Sequence, residues 1–285
     1  KANITVTPYA DIYASIKYAS YLVQTRANRN NAYELVCPLS YLDDTEIYIY
    51  SASQLKSIGD ISGLKVGYAE FIYATKLQSL KIGDSSASYS NGNLTELYLG
   101  NNVLLRTLDV RNCPNLGTGD QKTIDISGCT NIEHVYFDGT SITGISLPNG
   151  GILKTLHLPS TLTNLTILNQ SGITDLTVPS YSNLSTLRLE NTNVTTKAIL
   201  NALSANTRVR LIGFTWEAAN AAEITALFDK LDTMRGLDEY GNNTDTAQVS
   251  GTIHTDSLTG AQIAAFNARY PYVNVTADHT TAYVY

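Results

Sequence analysis

The sequence predicts an α/β solenoid: short parallel strands stacked into sheets, an N-terminal helical cap, and helix-backed repeats at the C-terminal end. Three observations carry this. A Leu-x-x-Leu-x-Leu template recurs through the middle of the chain, the texture changes to alternating helix and strand signals after Leu189, and one helical pattern stands at the front.

The template reads Leu94/Leu97/Leu99, Leu105/Leu108/Val110, Ile132/Val135/Phe137, Ile142/Ile145/Leu147, Leu153/Leu156/Leu158, Leu162/Leu165/Ile167, Ile173/Leu176/Val178 and Leu184/Leu187/Leu189. Each copy closes on an apolar–polar–apolar triplet, the period-two signature of a short strand with one buried face. Most copies follow at about 11 residues, half of a usual 20–29-residue repeat, which predicts two strands per coil. Alternate triplets then form two rows. One contains Leu97, Ile124, Ile145, Leu165 and Leu187, and the other Leu108, Val135, Leu156 and Leu176. Upstream, Ile47, Leu64 and Leu80 are spaced to lead into Leu97 as shorter coils with one strand each.

Three residues past each triplet stand small groups that can satisfy backbone atoms where the strand turns: Asn102, Cys113, Cys129, Thr140, Thr161 and Thr192. This placement gives Cys113 and Cys129 a structural role as buried, inert thiols. With Cys37 they make three cysteines in no Cys-x-x-Cys arrangement, which argues against a disulfide scaffold and a zinc site.

Past Leu189, Thr195 or Thr196 caps a helix over Lys197 to Leu203, and Val209-Arg210-Leu211 is the next strand. A longer helix is expected from about Trp216 to Met234, ended by Gly236. Gln248 to His254 reads as a strand, Ser257 or Thr259 opens a helix holding Ile263 and Phe266, and Pro271 stops it before a strand over Tyr272 to Thr276. Strand, helix, strand, helix, strand argues parallel crossovers in one sheet. At the front, Ile12, Ile16, Ala19, Leu22, Val23 and Arg26 mark one face of a helix from about Ala10 to Arg26. Terminal units must cover the open ends of a stacked core. The expected organisation is therefore a cap over 1–45, the repeats over 46–194 and α/β repeats over 195–285.

The phrases Asn93-Leu94-Thr95-Glu96-Leu97-Tyr98-Leu99, Leu108-Asp109-Val110-Arg111-Asn112-Cys113-Pro114-Asn115-Leu116 and Gly150-Gly151-Ile152-Leu153-Lys154-Thr155-Leu156-His157-Leu158-Pro159 resemble bacterial leucine-rich-repeat proteins, including irregular ones with two strands per coil. The resemblance covers about half the chain and implies a right-handed leucine-rich-repeat solenoid that recognises or scaffolds, with no catalytic residue to transfer. The phrases Asp44-Thr45-Glu46-Ile47-Tyr48-Ile49-Tyr50 and Asp232-Thr233-Met234-Arg235-Gly236-Leu237-Asp238 are also similar to repeat regions of large surface proteins of gut Firmicutes and of their phages or prophages, some tail-associated.

Composition narrows the function. Charged residues are 15% of the chain against a usual ~25%, and Tyr outnumbers Phe 19 to 5, so the aromatic surface carries hydroxyls suited to an exposed recognition face. A net charge of −6 argues against nucleic acid, whose affinity rests on neutralising phosphates. No apolar run reaches the ~20 residues of a membrane helix, so no membrane insertion is expected. The chain begins at Lys1 and ends in Ala282-Tyr283-Val284-Tyr285, which predicts flanking domains of a longer parent.

Candidate chemistry is sparse. His134, His157, His254 and His279 form no metal motif, Gly83-Asp84-Ser85-Ser86 lacks a nucleophile elbow, and Gly117-Thr118-Gly119-Asp120 lacks the Lys of a phosphate cradle and reads as an insertion loop. The run Asp238-Glu239-Tyr240-Gly241-Asn242-Asn243-Thr244-Asp245 offers oxygen ligands out of EF-hand order, and a solvated loop is the better reading than calcium. No enzyme activity and no cofactor are expected.

What remains is the outward middle residue of each triplet. The binding surface is expected at Tyr48, Lys65, Lys81, Tyr98, Asp125, Arg188 and Arg210 on the first row, with Asp109, Tyr136, His157 and Thr177 on the second. The expected function is recognition or adhesion by a bacterial surface or phage-tail protein, extracellular, on a cell surface or in a virion, with a protein or glycan as partner. The alternative is a rigid spacer or assembly module within a larger surface or virion protein.

Overall fold

In the computed structural model the chain divides into two compact units, Lys1–Pro159 and Ser160–Tyr285. The structure describes residues 67–83, 92–179, 183–204, 207–256 and 258–277 in full, and before residue 67 the backbone of the strands named next. The first unit contains β1 (Ala2–Pro8), β2 (Ile12–Tyr18), β3 (Tyr21–Ala27), β4 (Tyr33–Cys37), β5 (Thr45–Tyr50), β6 (Leu55–Ile58), β7 (Tyr68–Glu70), β8 (Ser79–Lys81), β9 (Glu96–Tyr98), β10 (Thr107–Asp109), β11 (Thr123–Asp125), β12 (His134–Tyr136), β13 (Gly144–Ser146) and β14 (Thr155–His157). The second contains β15 (Asn164–Leu168), β16 (Asp175–Thr177), β17 (Thr186–Glu190), α1 (Thr196–Ala202), β18 (Arg208–Glu217), α2 (Ala221–Leu231), β19 (Arg235–Leu237), β20 (Asn243–Thr244), β21 (Gln248–His254), α3 (Gly260–Arg269) and β22 (Val273–Thr276). Strands are mostly parallel, in several open sheets, and helices are few. No helix among the described residues is long and apolar enough to cross a membrane.

In the first unit one ladder runs β8-β10-β12-β14, all parallel, and stacks Leu80, Leu108, Val135 and Leu156 in register, each fully buried. At ~1.5–3 kcal/mol per buried side chain, this column is a main source of cohesion. Two shorter parallel pairs, β7 with β9 and β11 with β13, place Ala69 beside Leu97 and Ile124 beside Ile145. The row of Leu108, Val135 and Leu156 expected from the triplets is therefore continuous, whereas the row of Leu97, Ile124 and Ile145 is broken, β7-β9 and β11-β13 being separate sheets, and the upstream course of both rows differs. Leu80 belongs to the row of Leu108, and the partner of Leu97 is Ala69, which no leucine pattern marks. Residues 69 and 97 are separated by the same interval as 80 and 108, so both rows advance by the same step here and the expected one-strand coil from Leu80 to Leu97 does not form. Leu64 lies outside the described residues, and Ile47 sits in β5, which pairs antiparallel with β2.

The helix expected over Ala10 to Arg26 is also corrected. This segment forms β2 and β3, an antiparallel pair whose register closes Tyr18 on Tyr21, and β1 pairs antiparallel with both β4 and β6. Ile12, Ile16 and Val23 satisfy a helical face, but the stretch is dense in Ile, Tyr, Val and Thr, which lose less side-chain freedom on a pleated surface. β6 then joins β8 in parallel, so the antiparallel strands lead into the buried ladder.

Four of the turn residues meet backbone groups as expected. Asn102 is fully buried and donates from Nδ2 to the carbonyls of Leu99 (2.7 Å) and Phe71 (3.1 Å). The Thr140 hydroxyl donates to the Phe137 carbonyl at 2.9 Å, and the Cys113 and Cys129 thiols point at the Arg111 and Gly100 carbonyls. Both cysteines are buried and unbridged, and burial pushes the Cys129 thiol up to about 11.

In the second unit β15, β17 and β18 are parallel and align Leu165, Leu187 and Val209. The first part of β18 pairs with β19, the rest with β21, and β21 with β22. α1 is capped by Thr195 and α3 by Thr259, whose side chain and that of Gln262 form a reciprocal capping box. The helix expected from Trp216 to Met234 is shorter, starting behind the Asn220 cap, because β18 extends to Glu217. Gly213 explains the difference. At φ +63° it bulges the strand and shifts the register between Ile212 and Phe214, so burial moves from Val209 and Leu211 to Phe214 and Trp216. The alternation that would have announced a strand is broken there. Gly236 likewise does not end a helix but lies in β19, paired with Val209 and Thr244.

Candidate functional site

Alternation along each strand turns every second side chain away from the core, and parallel register sets those side chains side by side. In the first unit this produces a tyrosine–glutamate patch. Tyr68 stands beside Glu96 and Glu70 beside Tyr98. Each phenol donates to a carboxylate two residues along its own strand, Tyr68 to Glu70 at 2.8 Å and Tyr98 to Glu96 at 2.9 Å. The rings lean together with centroids 5.5 Å apart and 40° between planes. They remain exposed, Tyr68 at 56% and Tyr98 at 38%. Donation to Glu70 pushes the Tyr68 phenol up to about 12, and donation to Glu96 raises that of Tyr98, so both stay protonated donors. Two oriented ring faces flanked by fixed carboxylates can stack on an apolar or sugar surface and accept hydrogen bonds from hydroxyl or amino groups.

The patch ends at a side-chain bridge. Where β9 would meet a further strand, the Gln121 amide takes the place of a peptide group: Oε1 accepts from Leu97 N at 2.7 Å, and Nε2 donates to Leu97 O at 2.8 Å.

The long ladder carries Lys81, Asp109, Tyr136 and His157 in register. Asp109 is not the open surface residue expected, for it is 4% exposed. Arg111 Nε and Nη2 close on its two oxygens at 3.0 and 2.6 Å, and the same guanidinium lies 4.4 Å over the Tyr136 ring. Tyr136 meets His157 edge-on at 5.0 Å, and His157 Nδ1 is 3.2 Å from Asp138. Glu133 ties Arg106 to Lys154; the bond to Lys154 leads in holding its carboxyl below the usual range. These groups brace neighbouring strands.

In the second unit Arg188 and Arg210 are register partners on β17 and β18. Glu190 Oε1 accepts from both Nε atoms at 2.7 Å. Burial opposes its charge, but the two guanidiniums outweigh that and hold the carboxyl below the usual range. Arg208 and Arg235 are likewise register partners, on β18 and β19.

Of the expected surface, Tyr98, Arg188 and Arg210 hold the positions that the triplets assign. Lys81 moves to the other ladder. Asp125 is exposed, and its Oδ1 accepts from the Ser127 amide (2.9 Å) and hydroxyl (2.6 Å) at the strand end. Tyr48 pairs through its backbone with Ser15 in the antiparallel sheet, which removes it from the parallel row; its side chain lies outside the described residues, as does Lys65. The triplets miss Tyr68, because its strand centres on Ala69, and Arg235, because its strand falls where a helix is expected. The alternation Arg208-Val209-Arg210 could have revealed Arg208.

In the acidic loop the Asp238 carboxylate accepts from Tyr240 N (2.9 Å), Asn242 N (2.7 Å) and Asn242 Nδ2 (2.9 Å). The Asn242 side chain leads in holding this carboxyl below its usual range, and the group shapes its own turn. No family model, curated protein or solved structure matches the chain, so what this surface does is read from its own geometry.

Proposed function

We propose that the chain is a leucine-rich-repeat solenoid acting as a non-catalytic recognition or adhesion module of a bacterial surface or phage-tail protein, extracellular or in a virion, and binding a protein or glycan through its outward sheet residues. The observation that carries this reading is the Tyr68–Tyr98 pair, exposed yet held in orientation by Glu70 and Glu96. Rings fixed before binding lose little freedom on contact, and Tyr is a frequent interface anchor. The Y68A/Y98A and Y98A/R188A variants are expected to lose ~2 kcal/mol of binding on glycan arrays or host-type cells, about thirtyfold in affinity. Unchanged binding of both variants counts against the proposal.

The bracing by Asp109, Arg111, Tyr136 and His157 favours a second reading, a rigid spacer or assembly module in a longer chain. That reading expects an isolated chain that binds no array component and a deletion that disrupts surface or virion assembly.

A further inference from the structure

The second unit carries a concentration of positive charge that a chain of net −6 does not lead one to expect. Arg188, Arg208, Arg210 and Arg235 alternate with buried Leu187, Val209 and Leu211 and with Gly236, so all stand on the sheet face opposite the core. Neighbouring strands are ~4.8 Å apart, which sets guanidiniums within reach of one another. Glu190 holds one cross-strand pair, Arg188 and Arg210, through a single carboxylate oxygen. The other cross-strand pair, Arg208 and Arg235, has the same register relation and no side-chain hydrogen bond or ion pair among the described residues. Arg208 is half-buried and Arg235 exposed.

We infer that this face binds a carboxylated polysaccharide, a chain containing uronic acid units, with one carboxylate seated between Arg208 and Arg235 as the Glu190 carboxylate sits between Arg188 and Arg210. The inference rests on the recognition reading above and names a ligand class for a different part of the surface. Guanidinium forks favour carboxylate geometry, and repulsion between unpaired like charges is relieved by an anion. Around the arginines stand Thr166, Thr186 and Gln248, neutral polar groups suited to sugar hydroxyls. A protein partner would want an apolar centre, yet the exposed large hydrophobic residues described in this unit, Tyr240 and Tyr272, lie in turns outside these strands. Nucleic acid would want more cationic groups and, when single-stranded, stacking aromatics.

The test is titration of the full chain with polygalacturonate, its fully methyl-esterified form, neutral dextran and duplex DNA at two salt concentrations. Polygalacturonate is expected to bind and its ester not to. R208Q/R235Q should weaken binding about tenfold or more and flatten its salt dependence, whereas K197Q/K230Q, the same charge change on the helices, should stay within about twofold. E190Q, which frees Arg188 and Arg210, should tighten binding. Trp216 fluorescence melts that are unchanged for R208Q/R235Q and K197Q/K230Q, and that show E190Q still folded at the assay temperature, separate these effects from unfolding. Equal binding of the ester, tighter binding of DNA, or insensitivity to R208Q/R235Q overturns the inference. Array or cell binding that falls with Y68A/Y98A but ignores R208Q/R235Q overturns it and leaves the recognition reading standing, whereas no binding to any probe, array or cell overturns both.

Discussion

Replacing Gln121 with alanine isolates a single side chain that stands in for a strand. Leu97 is 1% exposed, and its N–H and C=O both end on the Gln121 amide. Removing that amide leaves two backbone groups without partners, at ~1–3 kcal/mol each when water cannot reach them. Gln121 itself is half-buried, so partial hydration lowers the sum, and Q121A is expected to cost ~2–4 kcal/mol. Q121E sharpens the argument. Its carboxylate still accepts from Leu97 N but cannot donate to Leu97 O, whereas the protonated acid can do both. In that variant the folded state raises the pKa of residue 121, so stability is full below the unfolded value and falls as pH rises through the folded one. The assays are urea unfolding of wild type, Q121A and Q121E from pH 3 to pH 7, and amide exchange at Leu97. Q121A within ~0.5 kcal/mol of wild type, with Leu97 exchange unchanged, would refute the assignment of Gln121 as a surrogate strand.

Glu190 titrates in the opposite sense. Its depressed folded pKa gives stability that is present above the unfolded value of ~4.3 and is lost as pH falls through the folded one, so the urea midpoints of wild type and E190Q should converge on acidification from a gap of ~1–2 kcal/mol at pH 7. In a C37S background, Cys113 and Cys129 should resist a thiol-specific disulfide reagent at pH 8 and react only after denaturation; stoichiometric labelling of the native chain contradicts their buried placement. Gly213→Ala should destabilise by ~1–2 kcal/mol, read by Trp216 fluorescence, because the position needs φ +63° and a Cβ there would collide with the Asn191 side-chain oxygen. A neutral effect would remove Gly213 as the cause of the β18 bulge.

The candidate surface was only partly legible in the residues. Alternation showed that Tyr98, Arg188 and Arg210 point outward, since this depends only on each residue's own strand. It did not show that Tyr98 faces Tyr68, that Asp109 is covered by Arg111, or that Arg235 lies beside Arg208. Those are relations between distant segments.

The same division holds for the fold. Local sequence determined most of the apolar triplets from Leu94 to Leu189, Ile145, Leu147 and Leu176 being only half-buried, together with the polar caps at Asn102 and Thr140 and, to within a residue or two, the helix starts at Thr195 and Thr259, because spacing and capping chemistry act within a few residues. Tertiary structure decided which strand lies beside which. It paired Ala69 with Leu97, gave Leu80 to the other ladder, formed a hairpin from a stretch that also fits a helix, and carried β18 through Gly213 to Trp216. The physical reason is that a three-residue strand is stable only through backbone bonds to neighbours remote in the chain, so its identity is settled by the partner that completes them.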